Sequence, residues 1–208
     1  PTQEYLLITE VSGENCVDAM NRLDYAEIVR LLAEGLQSIH ALDITDCPLH
    51  EEIDFKLAHA KHNAEHGFVD ENDFDEERRG KTAKEILTIL QNNRPPEDDL
   101  VFNHGDYCLP NILLQGNQIS GFVDLSRAGI ADRYNDLAIA SRSIRYNLGE
   151  KYEQLFFDDL VTTYTMQLLD KNEFANNKEI VDVAMLASER LMRTKIDESF
   201  EINYEDKI

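Results

Sequence analysis

A chain of 208 residues that is 42 % hydrophobic has apolar material for one core, as a single domain or a domain with an appendage, and this argues against wholesale disorder. A formal net charge of −21 argues against nucleic acid or an anionic membrane as partner and would draw in a polycation, although solubility alone is the plainer use of such acidity. Cys16, Cys47 and Cys108, odd in number and widely spaced, fit a reducing cytoplasm, and no apolar run approaches the roughly 20 residues of a membrane span.

The chain starts at Pro1 without Met, and an apolar run follows at once, so a piece of a longer protein is expected. Tyr5 to Thr9 reads as a short strand closed by Ser12-Gly13. Asp24 then opens a strong helix to about Leu42, with Ile28, Leu31, Leu32, Leu36 and Ile39 at helical spacing and Glu27 placed for a capping box. A second helix is expected over Ile53 to His66. The acidic stretch Asp70 to Arg79 reads as loop or frayed helix. Thr82-x-x-Glu85 opens a third helix, which Pro95-Pro96 terminates.

The period then changes. Leu100 to Phe102, Ile112 to Leu114 and Ile119 to Val123 are expected as small strands, with a hairpin turn at Gln115-Gly116-Asn117. Helical spacing returns after Asp132 with Tyr134, Leu137, Ala138, Ser141 and Ile144. Another helix is expected from near Gly149, and a last amphipathic one over Ile180 to Met192 precedes an acidic tail. The fold class is α+β, mostly helical with a small hairpin.

His104-Gly105-Asp106-Tyr107-Cys108-Leu109-Pro110-Asn111, with Asp124 thirteen residues further on, is the segment that carries chemistry. It places two carboxylates and an amide at the ends of short strands, where they can converge. Phosphoryl transfer needs such a set: one carboxylate to orient a hydroxyl and take its proton, an amide and a second carboxylate to hold Mg2+. The same residues also suit plain turns and strand ends. His59, His62 and His66 share one helix face, which could ligate a metal but more often is only a polar surface.

His104-Gly105-Asp106-x-x-x-x-Asn111-Ile112 and Gly121-Phe122-Val123-Asp124-Leu125-Ser126-Arg127-Ala128-Gly129 resemble the two signature blocks of the aminoglycoside 3'-phosphotransferases. The runs Ala131 to Ala138 and Leu36 to Pro48 are similar to that family as well, and the likeness covers residues 5 to about 160 in the family's order. It implies a protein-kinase-like C-terminal lobe over 1–160, with a divergent helical segment and acidic tail over 161–208. It makes Asp106 the catalytic residue and Asn111 and Asp124 the ligands of Mg2+ on ATP. Thr9 and Val11 would bond the adenine edge from the hinge strand. Asp73 and Asp75 of the acidic loop, with Arg127, would meet the aminoglycoside, and Asn147 stands where some relatives have an acidic substrate contact. His104 would buttress the loop and Asp136 anchor it.

Two departures qualify these expectations. None of the nine glycines forms Gly-x-Gly, and no strand carries a phosphate-binding Lys before the hinge, so the nucleotide lobe is expected to be missing and catalysis by this chain alone is in doubt. Ser126 stands for the family's usual Gly, and the likeness fades after Leu160. The expected activity is phosphorylation of an aminoglycoside hydroxyl in the cytoplasm by the intact parent, conferring antibiotic resistance. The alternatives are a non-catalytic acidic module for cationic partners, or a kinase of another small alcohol such as choline.

Overall fold

A computed structural model describes residues 9–171 apart from 75, 77, 96 and 98, with side chains through 162. β1 (Glu14–Asn15) runs straight into α1 (Cys16–Ala19), where the Asn15 side chain caps the helix by accepting from Val17 N at 2.9 Å and Asp18 N at 3.0 Å. Neither element is long enough to leave a periodic signal, and neither is expected from the sequence.

α2 (Tyr25–His40) is the central helix. Asp24 caps it through Ala26 N at 2.8 Å, but Glu27 does not close a capping box; it pairs with Arg30, one turn on, at 2.8 Å. Ile28, Leu32, Leu36 and Ile39 recur every three or four residues and are buried together, each stabilising the fold by roughly 1.5–3 kcal/mol.

α3 (Ile53–His66) and α4 (Ala83–Asn92) form a separate pair. The Thr82–Glu85 capping box is present, with Thr82 N donating to Glu85 Oε2 at 2.7 Å, and Gly67 ends α3 at a φ of 71°. Neither helix has a fully buried residue, because charged or polar side chains fall on every face of α3 and Ile89 and Leu90 of α4 remain exposed. Between them the acidic stretch makes one 3-10 turn, Glu71–Asp73. Polar links join this pair to the body: Lys56 Nζ donates to Asn135 Oδ1 at 2.7 Å, Ile53 N to Glu97 Oε1 at 2.7 Å and Glu51 N to Ile130 O at 2.8 Å.

β2 (Leu100–Asn103), β3 (Ile112–Gln115), β4 (Gln118–Phe122) and β5 (Gly129–Asp132) make two small sheets. β3 lies between β1 and β4, antiparallel to both. The β3–β4 turn uses Gly116 at a φ of 63° with Asn117, as expected. Arg22 ties this turn to β1 by donating to Asn117 Oδ1 at 3.1 Å, to the Gly116 carbonyl and to Glu14. β5 pairs antiparallel with β2, Val101 facing Ala131 and Phe102 facing Ile130. It escapes a sequence reading because Gly129-Ile-Ala-Asp becomes a strand only through its distant partner.

α5 (Tyr134–Asn147) and α6 (Glu150–Lys171) close the core. α6 packs along α2, and Phe156 and Leu160 join Leu137, Ala140 and Ile144 in one cluster with the α2 residues. The helix expected from Gly149 thus begins at Glu150. Residues 5–8 of the expected first strand, Asp75, and the helix expected over Ile180 to Met192 lie outside the described residues. No helix among the described residues is long and apolar enough to cross a membrane.

Candidate active site

The candidate site is the loop from β2 to β3 together with the end of β4. Gly105 lets the chain turn sharply there: its φ is +84°, and a Cβ on it would stand 2.0 Å from the Arg127 carbonyl oxygen. The loop is therefore pressed against the Arg127 backbone. Beyond Gly105, Tyr107 is fully buried and donates its hydroxyl to Leu32 O of α2 at 2.7 Å. Leu109 N donates to Ser143 Oγ of α5 at 3.1 Å. These anchors leave Asp106, between Gly105 and Tyr107, partly exposed.

Asn111 Nδ2 donates to Asp106 O at 3.0 Å and to Asp106 Oδ2 at 3.1 Å. One amide thus holds both the backbone and the carboxylate of Asp106, leaving its own Oδ1 free of that contact. Val123 N donates to Asn111 O at 3.0 Å, which brings Asp124 alongside. Asp124 is the one described non-glycine residue with a positive φ, 58°, and Ser126 Oγ donates to its Oδ1 at 3.2 Å. Asp tolerates that conformation better than most residues, but it still carries strain, and strain of this kind gathers at functional sites.

Asp136 in the first turn of α5 holds the loop from beneath. Its carboxylate accepts from His104 N at 2.7 Å and Gly105 N at 2.9 Å, and it is fully buried. His104 is buried too, and its Nδ1 accepts from Asp106 N at 3.3 Å. Burial pushes the His104 imidazole down from its ordinary range, against the pull of Asp136 and Asp106, so it stays neutral. Burial likewise raises the Cys108 thiol, with Asp106 adding to the effect, so a thiolate beside this carboxylate is disfavoured.

The remaining candidates fall at different distances from this centre. Val11 packs on β4, since a Cβ on Gly121 would stand 2.7 Å from Val11 Cγ1, while Thr9 is exposed. Arg127 is exposed, with its backbone against Gly105. Asn147 Nδ2 donates to Ser143 O at 2.8 Å, and through Ser143 it adjoins the loop. Asp73 is exposed in the 3-10 turn between α3 and α4, and Asp75 lies outside the described residues. His59, His62 and His66 stay on the exposed surface of α3, and no group of three or more His, Cys, Asp or Glu among the described residues could hold a metal.

Two contributors have no signal of their own in the sequence. His40 is an ordinary polar position at the end of an amphipathic helix until α2 and α5 pack, when its Nε2 comes 3.3 Å from Asp136 Oδ2. Lys56 reads as surface until its ammonium meets Asn135; burial pushes it down from its ordinary value.

The sequence model of the phosphotransferase enzyme family matches residues 2–169. The chain belongs to this family. An aminoglycoside 3'-phosphotransferase of Niallia circulans is 41 % identical over 156 residues, 74 % of this chain and 59 % of that protein. One of Streptomyces fradiae is 31 % identical over 176 residues, 84 % and 66 % of the two. The chain therefore spans 59–66 % of the length of these relatives. Among solved structures, an aminoglycoside-3'-phosphotransferase of type VIII superposes at a TM-score of 0.64 with 29 % identity, over 86 % of this chain and 66 % of that one. The aminoglycoside phosphotransferase APH(3'')-Id of Streptomyces rimosus in complex with ADP and streptomycin does so at 0.58 with 26 % identity, over 73 % and 61 %. The α+β architecture is the one these phosphotransferases have.

Proposed function

We propose that this chain is the C-terminal lobe of a kinase-like aminoglycoside O-phosphotransferase that uses ATP and Mg2+ in the cytoplasm to confer resistance. Residues 1–160 would form the lobe and 161–208 a divergent extension. The observation that carries the reading is the pair of hydrogen bonds from Asn111 Nδ2 to Asp106, with Asp124 drawn alongside through Val123. Asp106 accepts the proton of the attacking hydroxyl as its oxygen bonds to the γ-phosphorus and ADP leaves. The donor set fits a hard cation, because Asn111 and Asp124 offer oxygens and no sulfur or imidazole. Mg2+ held by Asn111 and Asp124 would neutralise charge on the phosphates.

The backbones of Thr9 and Val11 would bond the adenine edge, in keeping with Val11 packing on the strand that leads to Asp124. Asp73, Asp75, Arg127 and Asn147 would meet the drug, whose ammonium groups suit acidic side chains. The net charge of −21 supports the same choice of substrate by concentrating a polycation near the site. A second reading, a non-catalytic acidic module, draws on that charge and on the absence of any Gly-x-Gly in the chain.

The test is Mg2+-dependent ADP release by the 208-residue chain with and without kanamycin, beside Asp106→Ala and with kanamycin calorimetry. Because the sequence has no Gly-rich loop, tight kanamycin binding with little release is expected from the chain alone, and drug-dependent release lost in Asp106→Ala from the parent. Absence of both binding and release would sink the reading in favour of the acidic module.

A further inference from the structure

The α3–α4 pair is mounted at one end. Glu51 N donates to Ile130 O at 2.8 Å and Ile53 N to Glu97 Oε1 at 2.7 Å, so both links lie at the start of α3. Arg94, just past α4, pairs with Asp54 at the same end. Links gathered at one point hold a helix in place but leave its direction free. Lys56 lies further along α3, and its Nζ reaches α5, donating to Asn135 Oδ1 at 2.7 Å. That second point sets the direction in which α3 leaves the body.

Direction matters most at the far end. About 15 Å of helix separates Lys56 from His66, so a tilt of about 10° would carry the end of α3 sideways by about 2.6 Å. The 3-10 turn with Asp73 follows a few residues later. The range of a good hydrogen bond is only about 0.5 Å wide, so a shift of this size would part a side chain from its ligand.

The two side chains of this contact are half-buried. Asn135 Nδ2 is buried too and has no hydrogen-bond partner among the described residues. Reversing the amide would set its hydrogens against the ammonium, so the oxygen stays on Lys56 even though Nδ2 is left unanswered. Burial disfavours the ammonium, while Glu51, Asp136 and Glu97 favour it and Arg127 opposes it. Asn135 also precedes Asp136, whose carboxylate accepts from His104 N and Gly105 N. The first turn of α5 thus bears on the loop that presents Asp106 and, through Lys56, on the helix that leads to Asp73.

We propose that Lys56 is a positioning residue for the drug: by donating to Asn135 it fixes the direction of α3, and with it the place of Asp73 relative to Asp106. The effect on the drug rests on reading Asp73 as a substrate contact. The fixing of α3 does not. A plain charge effect has the opposite sign, because removing a cation makes the protein more negative and should tighten its hold on a polycation. Loss of a positioning contact should weaken that hold.

The test compares the 208-residue chain with Lys56→Met, Asn135→Ala and the double variant. Amide exchange over 54–66 and 83–92 should speed up about 5-fold or more in each single variant, while α2 changes less than about 2-fold. The double variant should match Lys56→Met rather than multiply the two effects. In calorimetry the Kd for kanamycin should rise about 10-fold in Lys56→Met. If the chain or its parent turns over kanamycin, KM should rise about 10-fold while kcat stays within about 2-fold.

Unchanged exchange over α3 and α4, multiplied effects in the double variant, or equal or tighter kanamycin binding in Lys56→Met would overturn the proposal. So would a fall in kcat at unchanged KM, which would place Lys56 with the catalytic loop instead. If Lys56→Met does not fold, Asn135→Ala carries the same expectations for exchange and binding. Faster exchange over α3 and α4, beside a wild type that binds no kanamycin, would uphold the fixing of α3 and count against the assigned substrate.

Discussion

A methyl group at Gly105 would meet the Arg127 carbonyl oxygen at 2.0 Å, on a backbone already in the left-handed region. Gly105→Ala should therefore move either the loop or the Arg127 turn and destabilise the protein by about 2–4 kcal/mol, read from urea denaturation midpoints. Asp124 differs, because Asn tolerates a φ of 58° as well as Asp does. Asp124→Asn should keep stability within about 0.5 kcal/mol while weakening Mg2+ binding, measured by calorimetry beside Asp124→Ala. Cys16 makes a pH prediction. Its thiol is fully buried, and burial pushes its pKa from 9.0 up to about 12. The folded state favours the protonated thiol, so this contribution is present below pH 9.0 and lost as the pH rises towards 12, at about 1.4 kcal/mol per pH unit. Denaturation at pH 8, 10 and 11 with Cys16→Ala alongside would check it; an alkaline loss that persists in the variant belongs to other groups.

Among the elements, α4 rests most on local signals. Thr82→Ala removes its capping box and should cost about 1 kcal/mol. Because α4 has no fully buried residue, faster amide exchange should be confined to 83–92 and leave α2 untouched. The same contrast explains what could be read in the sequence. α2, α3 and α4 were legible because a cap and a run of apolar or polar residues lie within one segment, and the β3–β4 hairpin because Gly116-Asn117 mark its turn. β1 and β5 were not, since each acquires its conformation from a strand elsewhere in the chain, and α1 was not because four residues are too few to show a period. The expected capping box on α2 failed because Arg30, one turn on, competes for Glu27. In the candidate site, the Asp106–Asn111 pairing follows from nearness in sequence. The reach of His40 to Asp136 spans 96 positions, and no local pattern encodes it.

At the scale of the whole molecule, a charge of −21 makes association with a polycation depend on salt. Kanamycin capture should slow steeply between about 0.02 and 0.5 M salt as the screening length contracts, whereas folding stability should hold or rise. Stopped-flow binding across that range checks the first expectation and thermal melts the second; a salt-independent on-rate would leave the surface charge with no role in capture.

The α3–α4 pair is joined to the rest by a few polar links and buries no residue completely. A segment placed outside the core can change its side chains with little risk to folding. If the proposed activity holds, that segment is where new substrate preferences can arise in few mutational steps. On that reading, selection of the parent against a drug it handles poorly should first gather substitutions over 53–92 and spare the face of α2 that carries its nine buried residues.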